Sequence, residues 1–259
     1  MIIFRLATLA FGVAASASLH AALPVTVEVS GSVRNPGTLT LASGALLSDA
    51  ALASAPDERS YMLGAALLRH GELIAQTRLK TGLLFDLEMI ENREATDPLG
   101  AAAAIRIARE LSAMPVTGRV RQILAPRSLE VDLKRNRPLE DGDKLYYPTR
   151  PGMVSVIGAV EQPCSIEHRP LQQPLEYAQQ CPALASASKD DLFVIQPDGE
   201  VEKLGIALWN RSAESTLAPG ALVFVPLNAH LLRDVNPAFN EEAARFLATQ
   251  VLDAPGAPK

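Results

Sequence analysis

Few side chains in this sequence have the types and spacing that chemistry requires. Two adjacent carboxylate pairs, Asp190-Asp191 and Glu241-Glu242, come nearest to the paired acids of a glycoside-cleaving site. Their settings favour simpler roles. The first pair precedes the apolar run Leu192 to Ile195, and the second falls in the first turn of a helix expected to start near Asn236-Pro237. Negative charge there offsets the positive end of the helix dipole. His20, His70, His168 and His230 are scattered, and no H-x-x-x-H or C-x-x-C spacing exists to hold a metal. Neither a G-x-S-x-G elbow nor a phosphate-cradling glycine loop is present. The sequence therefore nominates no catalytic residue, no metal ligand and no cofactor.

Recognition chemistry is better represented. Arg119 follows Thr117-Gly118. A guanidinium offers a planar fork of donors suited to a carboxylate, a phosphate or several carbonyls. Two roles stand open for it: gripping a ligand, or acting as an ion pair or carbonyl clamp that locks neighbouring segments. Trp209 is the only tryptophan and sits beside Asn210 and Arg211. An aromatic face with adjacent amide and guanidinium groups suits a sugar ring, while a lone tryptophan in a small protein also serves simply as packing. Cys164 and Cys181 form a disulfide if the short helix expected over residues 172–180 runs back to the turn that carries Cys164; otherwise they are two separate thiols.

The elements that must position these residues come from an internal repeat. The stretch VEVSGSVRNPG, residues 27–37, is nearly repeated as VSVIGAVEQPC, residues 154–164, with Val27, Val29, Gly31, Val33 and Pro36 matched by Val154, Val156, Gly158, Val160 and Pro163. Alternating apolar residues followed by a proline turn predict a strand entering a hairpin. A closing pair, LEDGDKLYYP at 139–148 and LAPGALVFVP at 217–226, completes each copy. The opening stretches are 127 residues apart and the closing ones 78, so the first copy holds 49 extra residues. In the shorter copy, a hairpin, a crossing helix, a strand over 192–195, a turn at Pro197-Asp198-Gly199 and a last strand over 223–226 give the order of a β-grasp unit. Tyr146 and Tyr147 lie in the closing strand of the first copy, one expected inward and one outward.

The extra residues read as two helices. Leu83, Leu84, Leu87 and Ile90 lie on one face of the first, where Gly82 offers a place for a break. Asp97-Pro98 caps the second, whose stripe is Ala104, Ile107, Ala108 and Leu111. Such an arm must rest its apolar faces on one of the two units. A C-terminal amphipathic helix carries Phe239, Ala243, Phe246, Leu247 and Val251 and lacks a basic polar face, which favours packing on the protein over a membrane surface.

Composition bounds the remainder. Residues 1–22 have one early charge, Arg5, then an uncharged apolar run, the pattern of a cleavable signal peptide for export. No later run is long and apolar enough to span a membrane. With 24 basic and 29 acidic residues and no basic block read anywhere, neither nucleic acid nor an anionic membrane surface is an expected partner. The expected layout is a signal peptide at 1–22, a first unit at 23–150 with its insert near 70–118, a second unit at 151–227, and a C-terminal helix and tail at 228–259.

The strand-Gly-x-Val-x-x-Pro hairpins resemble the ligand-binding β-grasp modules of Wza-type polysaccharide exporters, and the whole chain resembles the GfcC-like capsule biosynthesis proteins. That resemblance implies an α+β fold of tandem β-grasp domains, with a helical insert in the first and an amphipathic helix on the second. It implies a periplasmic, non-enzymatic protein whose partners are capsular polysaccharide or exopolysaccharide, outer-membrane export proteins, or both. VTGRV, residues 116–120, resembles the end of the family's insert, so the resemblance places Arg119 in a central pocket, and IALWNR, residues 206–211, resembles a segment of the second domain. On this basis Arg119, Trp209 and Asn210 are the expected ligand-pocket residues.

Overall fold

The computed structural model describes residues 23–252; the expected signal peptide lies outside the described residues. The first repeated stretch folds as a hairpin in which β1 (Val25–Gly31) runs antiparallel to β2 (Gly37–Leu41). Helix α1 (Leu47–Ser54) crosses one face and buries Leu47, Ala50 and Ala51. The chain returns through β3 (Ala66–Leu68), leaves for α2 (Leu73–Glu91) and α3 (Pro98–Ala113), and re-enters as β4 (Arg119–Val120). A short helix, α4 (Pro126–Val131), leads to β5 (Lys144–Tyr147), parallel to β1 and antiparallel to β3. The sheet order is β2-β1-β5-β3-β4. Val27, Val29, Leu67, Leu145 and Tyr147 meet α1 in its core.

The second copy repeats the plan. Strand β6 (Met153–Gly158) pairs antiparallel with β7 (Cys164–Glu167), and α5 (Pro174–Ala178) crosses. Strands β8 (Asp191–Ile195), β9 (Val201–Gly205) and β10 (Leu222–Val225) complete the order β7-β6-β10-β8-β9. Replacing each strand by its counterpart in the first sheet gives the identical order, so this is an α+β chain of two β-grasp sheets. The repeated glycine has a physical cause. Gly31 and Gly158 adopt φ of 91° and 100° at the ends of β1 and β6. A side chain on either would collide with the carbonyl oxygen of Tyr147 or Val225 on the neighbouring strand. Those same carbonyls accept from Ser32 N at 2.7 Å and Ala159 N at 2.8 Å, tying the end of β1 to β5 and the end of β6 to β10 alike.

Three local expectations change. Helix α2 passes through Gly82 without a break; the glycine faces solvent, and burial of Leu83, Leu87 and Ile90 outweighs its cost of about 1 kcal/mol. Tyr146 and Tyr147 are both buried, because the first sheet is covered on either side at β5. The crossing helix α5 is shorter than the 172–180 expected from the sequence.

The arm belongs to the first sheet by connection and to the second by packing. Leu83, Leu87 and Ile90 of α2 and Ile107 and Leu111 of α3 share one core with Val154, Val156 and Phe224 of the second sheet. After β10 come α6 (Ala229–Leu232) and α7 (Phe239–Leu247). Phe239, Ala243, Phe246 and Leu247 of α7 are buried in that same core, so the amphipathic helix packs on the protein. Lys80 of α2 donates to Ser112 O at 2.9 Å and Met114 O at 2.5 Å, placing a cation at the negative end of α3.

Candidate functional site

Arg119 opens β4 where the arm rejoins the first sheet, and it is 7% exposed. Local structure fixes it tightly. Gly118, at φ 75°, lies so close to the Arg69 carbonyl that a side chain there would clash. Gln76 of α2 accepts from Gly118 N at 2.8 Å and donates to Arg119 O at 3.0 Å. The guanidinium then reaches out of its own sheet. Nη1 donates to Gln250 O at 2.7 Å and lies 3.5 Å from Ala248 O, both just past the end of α7. Nη2 donates to Pro197 O in the turn between β8 and β9. Thr117 Oγ1 adds a bond to Thr249 O at 2.6 Å, and Gln250 Nε2 one to Pro115 O at 3.2 Å.

Three segments distant in sequence therefore meet on one side chain. The acceptors are carbonyls that a helix end and a tight turn leave without backbone donors. Burial pulls the Arg119 guanidinium down to about 10, with the nearby Asp198 carboxylate opposing the shift. It stays charged at neutral pH. Its Nε has no hydrogen-bond partner among the described residues, so one donor remains in the buried junction. The arrangement clamps the two sheets and the C-terminal segment together.

Trp209 and Asn210 stand elsewhere. They lie in the loop after β9, beside Asp190 at the start of β8, whereas Pro197 follows the end of β8. The register Asp191↔Gly205 and Ile195↔Val201 puts these at opposite ends of the β8–β9 hairpin. At strand rise that is about 20 Å. The structure does not gather Arg119, Trp209 and Asn210 into one pocket. Trp209 is 78% exposed and Leu208 beside it 91%, so the tryptophan has no packing role. Its Nε1 donates to Asp190 Oδ1 at 3.3 Å, which tethers the exposed ring at that edge. Asn210 is used internally: its Oδ1 accepts from Ala207 N at 3.0 Å, and its Nδ2 donates to Asp190 O at 3.0 Å and Asp191 Oδ1 at 3.2 Å. It shapes the loop that displays Trp209.

The carboxylate pairs are drawn together by a cation. Lys203 Nζ lies 3.5 Å from Asp191 Oδ2 and 3.1 Å from Glu241 Oε1, so one acid from each pair is neutralised by a shared ammonium. Cys164, at the start of β7, and Cys181, just after α5, are joined as a disulfide with their Cα atoms 6.4 Å apart. Closing a loop with a sequence separation of 17 is worth about 3 kcal/mol in the chain-entropy picture.

Beside Arg119 the two units enclose a cleft of about 670 Å³. One wall carries Arg121, Lys134, Arg135 and Arg137 from the first unit; the other carries Asp198 and Glu200 from the β8–β9 turn. Arg121 Nη2 reaches across to Glu200 Oε2 at 3.0 Å and Asp198 Oδ2 at 3.6 Å. The sequence hardly announces this wall. Three of its cations come from the four-residue run Lys134 to Arg137, and only the fold adds Arg121.

Comparison with known proteins agrees with the architecture. The family model for the N-terminal part of capsule biosynthesis GfcC matches residues 21–150, and that for its C-terminal part matches residues 162–252. The uncharacterized protein YjbG of Escherichia coli (strain K12) is 26% identical over 192 residues, covering 74% of this chain and 77% of its own length. With the two models together matching residues 21–150 and 162–252, the chain belongs to the GfcC capsule biosynthesis family.

Proposed function

We propose that the protein is a non-enzymatic periplasmic accessory of capsular polysaccharide or exopolysaccharide assembly or export, and that it touches the glycan directly. Membership of a capsule biosynthesis family supports the setting. Among the described residues no helix is long and apolar enough to cross a membrane, which accords with a protein working outside the bilayer. Trp209 carries the glycan reading. Its ring is large, apolar on its faces and 78% exposed, so it is open to a partner in solution. Here a hydrogen bond to Asp190 fixes it on a loop built around Asn210. An exposed aromatic face is what a pyranose ring stacks on.

A second reading has its own observation. Leu208, 91% exposed next to Trp209, makes the loop tip an apolar knob that suits an export protein as well as a sugar. Titrating purified protein with capsular oligosaccharide while following Trp209 fluorescence separates the two. A saturable change that disappears from the calorimetric trace of Trp209→Ala supports glycan contact. No signal by either method leaves the adaptor role, and shortening of the polymer during incubation would instead indicate an enzyme.

A further inference from the structure

We propose that the cleft between the two units binds an acidic sugar segment, one bearing a carboxylate or phosphate group. The inference rests on the glycan-binding reading but concerns a different place, at the other end of the β8–β9 hairpin from Trp209.

Charge distribution is the first argument. The chain as a whole is acidic, with a formal net charge of −5. Against that background this cleft gathers four cations facing two carboxylates. Arg121 is paired across the cleft and Arg135 is held by Asp132 at 3.2 Å. Lys134 has no ion-pair partner among the described residues, and Arg137 donates only to the neutral Gln122, at 3.1 Å. Two cations are thus left uncompensated on one wall.

Preorganisation is the second. Asn136 is buried between Arg135 and Arg137 and exchanges hydrogen bonds with Ser48 at the start of α1, both at 2.9 Å. Anchoring the middle residue turns its neighbours outward. Gln122, 9% exposed, forms the floor. Its Nε2 donates to Ile123 O at 3.0 Å and Arg135 O at 2.9 Å while its Oε1 receives Arg137. The Arg137 fork is set before any ligand arrives, which lowers the ordering cost of binding.

The mixed lining selects the ligand class. A small bare anion gains nothing from Asp198 and Glu200, which call for hydroxyl donors. A sugar acid satisfies both walls: its anionic group takes the fork of Arg137 and the ammonium of Lys134, and its hydroxyls donate to the two carboxylates. The volume is within the ~300–1,000 Å³ of ordinary ligand sites and leaves room for a short oligosaccharide.

Calorimetric titration of the full chain with trigalacturonate, glucose 6-phosphate, maltotriose and inorganic phosphate tests this. Trigalacturonate or glucose 6-phosphate should bind and maltotriose should not; which of the two acids binds identifies the anionic group. Raising salt to about 0.5 M should weaken the interaction, because the cations are solvent-accessible. Lys134→Glu with Arg137→Glu should weaken it at least tenfold and Lys134→Glu alone, at an exposed position, should weaken it less, with unchanged thermal melting showing that the fold is kept. Trp209→Ala should leave it intact. The proposal is overturned if neither acidic probe binds, if maltotriose binds as tightly, if inorganic phosphate binds as tightly as the sugar acids, or if the charge-reversed protein binds normally. Such a failure would leave the Trp209 reading standing, since that reading depends on a different loop and on Trp209→Ala.

Discussion

At the scale of single residues, Arg119 bears more structural weight than any other polar group of the junction. Removing its side chain leaves the Pro197, Ala248 and Gln250 carbonyls without their donor inside a partly buried junction. Charged hydrogen bonds contribute about 1.5–3 kcal/mol each, and losses at one side chain are not additive. Arg119→Ala is therefore expected to cost about 3 kcal/mol in urea unfolding. Arg119→Lys should recover little of it, because one ammonium cannot fork towards two segments at once. A lysine variant as stable as the parent would contradict the clamp. The sequence marked Arg119 through its Thr-Gly-Arg setting, but its partners are backbone carbonyls at separations of 78 to 131 residues. Carbonyls leave no trace in a sequence, so the segments that Arg119 joins are legible only in the fold. Trp209 is singled out by its uniqueness, but nothing in its neighbours shows that its loop turns it outward.

Elements show where periodicity suffices and where it stops. Alternation fixed both hairpins, and the 3.6-residue stripe located α2, α3 and α7. Glu110 escaped that logic. It lies on α3 between the buried Ile107 and Leu111, half-buried itself, with Oε1 lacking a partner among the described residues. Burial pushes its carboxyl up to about 7 from an ordinary 4.5, opposed by the Gly158 amide at the end of β6 and by Arg106. The shift is upward, so the folded state favours the protonated form. The stability it contributes is complete below about 4.5 and is lost as pH rises through about 7. Glu110→Gln should therefore stabilise the protein at pH 8 by about 1 kcal/mol, after discounting for the solvent that reaches a half-buried group. At pH 4 to 5 the variant and parent should melt together. A constant difference across the pH range would mean that packing, not ionisation, is responsible.

For the whole molecule, the mismatch of 127 and 78 residues between the repeated stretches revealed an arm in the first unit. It left open which unit the arm rests on, since both sheets and the C-terminal helix present apolar surface. The answer reorganises the energetics. The second sheet's core includes side chains from α2, α3 and α7, whereas the first sheet keeps a smaller core with α1. The second unit cannot fill its interior without residues that enter and leave through β3 and β4 of the first. Arg119 and Thr117 then tie β4 and its approach to the segment after α7. Domain boundaries drawn along the sequence are therefore not boundaries of stability. The protein should unfold in one calorimetric transition rather than two. Leu87→Ala, a fully buried truncation expected to cost about 2–5 kcal/mol, should shift that whole transition. A chain spanning residues 151–252 should not fold by itself, because the hole left by Leu83, Leu87, Ile90 and Ile107 would expose the faces of Phe239 and Phe246 to water. Two resolved transitions, with Leu87→Ala moving only one, would show instead that the arm is an ornament on an independently stable second unit.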